Sequence, residues 1–214
     1  MESLIIDALR FGHLLALALG LGLAMTADVS ALGLVRKPVT TAFVARLETL
    51  HLAVLAGFAM LWLTGIALFY VRTGFDFSAA SPKLTAKFAV VALLTLNAFL
   101  IGRIGLPTLQ RCVGLKFGAF PFADRLKLSV VAALSTAGWF CALALGTFTA
   151  LKSMPIDGIT AILMPIYAVA VCGGVVLAVF SPVLAGQRNP DPDAQWDPRN
   201  AQNLGLAHRR TYVG

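Results

Sequence analysis

Long runs of apolar residues dominate the chain and are separated by short polar segments. Five windows contain few charged residues, at roughly 6–35, 46–71, 84–106, 128–151 and 158–181. Each is long enough to cross a bilayer, because a transmembrane helix needs about 20 predominantly apolar residues. The pattern therefore predicts an all-α protein, an integral membrane bundle of five transmembrane helices.

The residues after the fifth window are of a different kind. Ser181-Pro182 is a stop signal for the last helix, and the chain becomes polar and proline-rich from Gln187 onward. A segment of that composition cannot bury enough apolar surface to form a core of its own. Two parts are predicted, a transmembrane domain at 1–186 and a polar tail at 187–214.

Composition supports the membrane assignment. Of the 214 residues, 58% are hydrophobic and 13% are charged. The charged share is about half of the roughly 25% that is typical of soluble domains. The net charge of +7 is explained by basic loops that touch anionic lipid headgroups. We therefore expect the lipid bilayer as a partner and no nucleic acid.

Basic residues are distributed unevenly between the two predicted sides of the bundle. Twelve of the 17 Lys and Arg residues fall in or beside the first loop, the third loop and the tail, and five fall on the other side. Short cytoplasmic loops carry an excess of Lys and Arg. The tail is therefore predicted to be cytoplasmic and the N-terminus outside, in a bacterial-type inner membrane.

The first window carries four ionisable residues, Asp7, Arg10, His13 and Asp28. At about 100° per helical residue they lie within one third of the helix circumference, and the opposite side is apolar. A charged group that faces lipid is costly, so this stripe should face protein. Two interpretations stand open, a polar seam that locks the bundle together or a buried site built on the first helix.

The depth of each residue across the predicted membrane determines which residues of the other helices it can contact. Lys83 and Lys87 lie near the outer end of the third helix, at the depth of His13 and Arg10. Lys87 is the candidate catalytic residue of this outer level. Arg10 and Lys83 add positive charge that suits the propionates of a tetrapyrrole, and Asp7 is expected to orient the His13 ring. The alternative is that Lys87 extends to the headgroups and His13 bonds a backbone carbonyl.

A second polar level lies toward the predicted cytoplasmic side. Helices one and two are antiparallel neighbours, so Asp28 and His51 are expected to meet there as a structural polar pair. His13 and His51 are the candidate metal ligands, because imidazole is the commonest metal ligand. The two histidines differ in depth by about 20 Å at the rise of an α-helix, so they are poor candidates for the two axial ligands of one haem. Each could ligate a separate haem, or neither could.

The connection at 107–127 is too polar to cross a membrane. It mixes Phe117, Phe120 and Phe122 with basic residues such as Arg125. That composition suits a segment that lies in the cytoplasmic interface and is helical in part. An ordinary loop is the equally weighted alternative.

Three features together resemble the HemJ and CopD-like group of small membrane proteins. They are His13 in the first helix, the Leu-Thr-Gly-Ile run from Leu63 to Ile66, and the Leu-Thr-Ala-Lys-Phe run that contains Lys87. The resemblance covers Phe11 to Leu106, and the fifth window and the tail have no counterpart in HemJ. It implies haem b as cofactor, with His13 and Lys87 as the functional residues of an oxidoreductase resembling protoporphyrinogen oxidase. CopD-like proteins are associated with copper uptake.

Two functional hypotheses follow. The first is a redox membrane protein that binds a haem or another tetrapyrrole. The second is a non-catalytic accessory subunit packed against a larger respiratory or photosynthetic complex, because the chain has almost no extramembrane domain. Under either hypothesis the protein partner would be a membrane-protein complex or a second copy of the chain.

Overall fold

The computed structural model describes residues 2–186, which form α-helices and short helical turns. The α-helices within that range are α1 (Glu2–Leu32), α2 (Thr41–Thr73), α3 (Pro82–Leu100), α4 (Leu106–Arg111), α5 (Phe122–Thr147) and α6 (Ile156–Leu184). A π-helical segment, Ile101–Gly105, joins α3 to α4 without a break. The tail predicted at 187–214 lies outside the described residues.

Five helical stretches within residues 2–186 are long and apolar enough to cross a membrane, which is the number of such helices that the sequence predicts. The third of them, Pro82–Arg111, comprises α3, the π-helical segment and α4. The fourth span begins at Phe122 instead of residue 128 and ends at Thr147 instead of residue 151. The all-α class is confirmed, and the error lies in the ends of the helices.

The start of α3 is set by two neighbouring residues. The Leu84 N–H donates to the Ser81 carbonyl at 2.8 Å and to the Ser81 hydroxyl at 3.3 Å, so Ser81 caps the first turn of the helix. Pro82 occupies the first helical position, where its missing N–H costs nothing. The helix therefore includes Lys83 and Lys87 in its first two turns, and the start predicted at residue 84 was slightly late.

Helix α5 is the centre of the bundle. It packs against α1, α3 and α6, while α1 packs against α2. Its side chains Trp139, Cys141 and Leu145 are fully buried. A Cβ at Gly20 of α1 would overlap the Trp139 indole. Glycine at this position therefore allows α1 to approach α5 closely, as small residues do between transmembrane helices.

The connection between the third and fourth spans folds back onto the protein. Phe117 and Phe120 are buried, with ring centroids 5.4 Å apart. The Val39 N–H donates to the Leu115 carbonyl at 2.9 Å, and the Gly114 N–H donates to the Val39 carbonyl at 2.8 Å. The segment is partly helical, so it is not an ordinary loop. It buries these two rings in protein, so it is not a simple interfacial segment either.

Arg125 fastens this connection to α6. Its buried guanidinium donates to the Gly118 carbonyl at 3.1 Å and to the Ser181 hydroxyl at 3.4 Å. A Cβ at Gly118 would lie 2.8 Å from the Ser181 carbonyl oxygen, so the two segments touch through their backbones. Arg125, which the sequence suggested as an interfacial cation, is an internal structural residue.

Two adjacent glycines of α6 provide a test of the α5–α6 contact. A Cβ at Gly174 would lie 2.8 Å from the Ser129 carbonyl oxygen, whereas a Cβ at Gly173 meets nothing within 4 Å. We expect Gly174→Ala to lower the free energy of unfolding by about 1–3 kcal/mol, because overpacking against backbone cannot be relieved by a rotamer change. Thermal unfolding in a nonionic detergent measures the effect.

Gly173→Ala is the matched control. It should be neutral or stabilise the protein, since alanine is favoured over glycine in a helix by about 1 kcal/mol. Equal losses in the two variants would contradict the close approach of α6 to α5 at Gly174.

Candidate functional site

Among residues 2–186, two cavities between the helices correspond to the two polar levels predicted from the sequence. The His13 cavity has a volume of about 360 Å³ and is lined by His13 and Lys87, among others. The Asp28 cavity has a volume of about 170 Å³ and is lined by Asp28 and His51, among others. The structure thus brings His13 and Lys87 together in one cavity and Asp28 and His51 in the other.

One apolar layer separates the cavities. On α2, Phe58 lines the Asp28 cavity and Leu61 lines the His13 cavity. On α5, Trp139 lines the Asp28 cavity and Ala142 lines the His13 cavity. The rings of Phe58 and Trp139 pack with their centroids 5.0 Å apart. Gly20 of α1 faces the indole at this level. We call this barrier the Phe58–Trp139 layer.

Thr64 is positioned to select one tautomer of a neutral His13. The Nδ1 atom lies 2.9 Å from Thr64 Oγ1. The Thr64 hydroxyl donates its own proton to the Met60 carbonyl at 2.7 Å, so it accepts the N–H of Nδ1. The unprotonated nitrogen is then Nε2, the atom through which the ring can bind a metal. Gly65 leaves room for the ring, since a Cβ there would lie 3.3 Å from His13 Cε1.

Every charged side chain that lines the His13 cavity is basic: Arg10, Arg72 and Lys87. Arg10 donates to the Asp7 carboxylate at 3.0 Å, in an ion pair that is largely exposed. Within residues 2–186, neither Arg72 nor Lys87 has an acidic partner. The cavity therefore presents uncompensated positive charge, which favours an anionic ligand.

Two residues expected at this level act elsewhere. Asp7 pairs with Arg10 within one helical turn and does not orient His13, whose Nδ1 is already engaged. Lys83 is buried and donates to the Phe148 carbonyl at 2.6 Å, in the loop before α6. It does not line the His13 cavity. The expectation that Lys83 binds a cofactor is corrected, because the ammonium holds a loop.

Residues of α2 that the sequence reasoning missed form one wall of the His13 cavity. Trp62, Gly65, Phe69 and Arg72 all line it. Their spacing at i, i+3, i+7 and i+10 places them on one helix face, and this spacing was the signal in the sequence. Phe69 also packs edge to face on Phe88 of α3, with ring centroids 5.5 Å apart. The wall is therefore aromatic and carries a cation at its end.

The structure corrects the predicted pair of Asp28 and His51. The Asp28 carboxylate accepts a hydrogen bond from the Thr136 hydroxyl of α5 at 2.8 Å, and no ion pair joins Asp28 to His51. The physical reason is that α1 contacts α5 as well as α2, and α5 offers a donor. The two residues line the same cavity, and no hydrogen bond or ion pair joins them in the described part of the chain.

His51 rests against the π-helical segment. A Cβ at Gly102 would lie 3.0 Å from His51 Nε2, so glycine makes room for the ring. Ile101 and Gly105 of the same segment line the Asp28 cavity. Segments with π-helical bonding inside α-helices are frequent at functional sites.

Possible metal ligands are dispersed in the part of the chain that the structure describes. Among the residues that the structure describes, no three His, Cys, Asp or Glu side chains are grouped so that they could hold a metal ion. His13 and His51 lie in different cavities, so each offers one imidazole. A haem iron is commonly held by a single protein ligand, so a lone histidine suffices for it.

Lys83 and Lys87 are one turn apart on α3 and provide a matched test of their different roles. Lys83→Met keeps most of the buried stem but leaves the Phe148 carbonyl without its donor. We expect a loss of about 1–3 kcal/mol in the free energy of unfolding. Lys87→Met removes a cation that lacks an acidic partner, so stability should stay unchanged or rise. Chemical or thermal unfolding in detergent measures both, and a larger loss for Lys87→Met would contradict the assignment.

Comparisons of the chain with protein-family models, with curated proteins and with solved structures gave no match. The resemblance to the HemJ and CopD-like group therefore stays a prediction.

Proposed function

We propose that the protein is an integral membrane redox protein that binds a tetrapyrrole, haem b, in the His13 cavity. The observation that supports this is a histidine with Nε2 available, beside uncompensated cations, in a cavity that is otherwise largely apolar. Haem has an iron that accepts imidazole, a large apolar ring and two anionic propionates. The histidine, the apolar walls and the cations correspond to these three parts.

The size and walls of the cavity also support the proposal. Its volume of about 360 Å³ is within the range of about 300–1,000 Å³ that is usual for small-molecule sites. Trp62, Phe69 and Phe88 supply aromatic surface for a flat ring. Arg10 and Arg72 are exposed and line the same cavity, so they are suited to bind propionates while the ring enters the bundle.

We propose Lys87 as the catalytic residue. It lines the same cavity as His13 and has no acidic partner among residues 2–186. A desolvated lysine can be neutral and can act as a general base. In a reaction resembling that of protoporphyrinogen oxidase, Lys87 would accept a proton from the substrate. Haem, when bound, supplies one-electron transfer.

The proposed setting is a bacterial-type inner membrane with the N-terminus outside. The support is the excess of basic residues on one side of the bundle and the rule that such residues stay in the cytoplasm. In this orientation the His13 cavity lies near the outer face and the Asp28 cavity nearer the cytoplasm.

Cysteine labelling checks this orientation. Ser78 precedes α3 and Lys116 lies between α4 and α5, and both are exposed. We expect Ser78→Cys to react with a membrane-impermeant maleimide in intact spheroplasts, and Lys116→Cys to react only after lysis. Both variants are made in a background in which Cys112, Cys141 and Cys172 are replaced by alanine. Labelling of both from the same side would contradict the five-span topology.

The haem proposal is tested by absorption spectroscopy of the full-length protein, purified in a nonionic detergent. We expect a Soret band and, after reduction, sharp α and β bands in the wild type. His13→Ala should lose most of the bound haem because the axial ligand is removed. His51→Ala is the matched control, since it removes a histidine from the other cavity and should retain haem.

Two further variants separate binding from chemistry. Thr64→Val removes the acceptor of His13 Nδ1 and should weaken haem retention by about 10–100-fold, as loss of a partner behind a metal-bound histidine does. Lys87→Ala should keep the haem spectrum and lose the proposed oxidoreductase activity in cells. A wild type without a Soret band, with normal function in the His13 and Lys87 variants, would favour the accessory-subunit hypothesis in place of a redox protein.

A further inference from the structure

The Asp28 cavity contains a carboxylate that no cation neutralises. None of the residues that line the cavity is Lys or Arg, and His51 is the other ionisable side chain there. Asp28 forms no ion pair, and the bond that it accepts comes from the neutral Thr136 hydroxyl. A carboxylate within a membrane-spanning helix is costly to keep without a partner. The cavity therefore has the charge of a site for a cation.

The rest of the cavity wall is apolar and aromatic. Phe58, Trp139 and Phe117 line it, together with aliphatic residues from α1, α2, α3, α5 and α6. Phe58 and Trp139 are almost completely buried. Aromatic faces attract cations, and the attraction grows when the cation is removed from water. An organic cation would be attracted both by the carboxylate and by the aromatic rings.

The oxygen atoms available here do not suit a divalent metal ion. Such ions are bound by several carboxylates or carbonyls, whereas Asp28 is the one acidic residue in the lining. Asn97 uses its amide nitrogen to bind the Val131 carbonyl at 2.9 Å, which ties α3 to α5. The Asn97 Oδ1 atom and the Ser129 hydroxyl, both in the lining, are buried without a hydrogen-bond partner among the described residues. One carboxylate with neutral oxygens beside it favours a single positive group.

The size of the cavity limits the ligand. Its volume of about 170 Å³ is close to the roughly 150 Å³ of an apolar protein cavity that admits benzene. A ligand with one ring, or with a compact alkyl group, would fit. One wall is the π-helical segment, in which the absence of a side chain at Gly102 leaves room for the His51 ring. The shape of the site therefore depends on an irregularity in the helix.

We propose that the Asp28 cavity binds a small organic monocation, a protonated amine with a compact apolar group. The ammonium donates to the Asp28 carboxylate, which Thr136 holds in place from α5. The apolar group lies against Phe58 and Trp139. Anions are excluded by Asp28, and large cations are excluded by volume. This site is separate from the His13 cavity and from any haem there.

A ligand series on the full-length protein in a nonionic detergent tests the proposal. Benzylammonium is the probe, benzyl alcohol is its neutral analogue and benzoate is its anionic analogue. Isothermal titration calorimetry should show benzylammonium binding about tenfold or more tighter than benzyl alcohol, which corresponds to about 1.4 kcal/mol of preference for the charge. Benzoate should not bind measurably. Equal affinities for benzylammonium and benzyl alcohol would overturn the proposal, and this comparison needs no variant.

Substitutions then locate the site. Asp28→Asn keeps the size of the side chain and should abolish the preference for benzylammonium, while Asp28→Glu should retain it in part. Glu48→Gln is the control, because Glu48 bonds Gln110 and does not line the cavity. Undiminished preference in Asp28→Asn, or the same loss in Glu48→Gln, would also overturn the proposal.

Discussion

The Phe58–Trp139 layer is the constraint on which the rest of the bundle depends. Trp139 is 1% exposed, and its indole occupies the space that a side chain at Gly20 would need. One large ring and one missing side chain thus fix the distance between α1 and α5. A smaller residue at position 139 would join the two cavities, and a larger one at position 20 would separate the helices.

Buried polar side chains hold the irregular parts of the chain. Lys83 bonds the carbonyl of Phe148 in the loop before α6, and Arg125 bonds that of Gly118 in the connection to α5. Each cation satisfies a carbonyl that no helix satisfies, which is required where water is scarce. Lys87 has no such bond among the described residues and lines the His13 cavity instead.

The number of spans could be read from the sequence because it depends on the local length of apolar runs. The pairing of His13 with Lys87 in one cavity also followed, since helix direction and rise determine depth. Asp28 was given the wrong partner because the sequence does not say which neighbour a helix face meets, and Thr136 is remote in sequence. Lys83 was misjudged for the same reason, since its carbonyl partner belongs to a distant loop.

The separation of the cavities has an electrical consequence. The two cavities share no lining residue, and the packed rings of Phe58 and Trp139 lie between them. If the five apolar helices cross a membrane, part of the transmembrane voltage would fall across this layer. A charge that crossed the layer would gain or lose about 2.3 kcal/mol per 100 mV. A cation that stays within one cavity would not cross the layer, so in that setting the Phe58–Trp139 layer would insulate one polar level from the other.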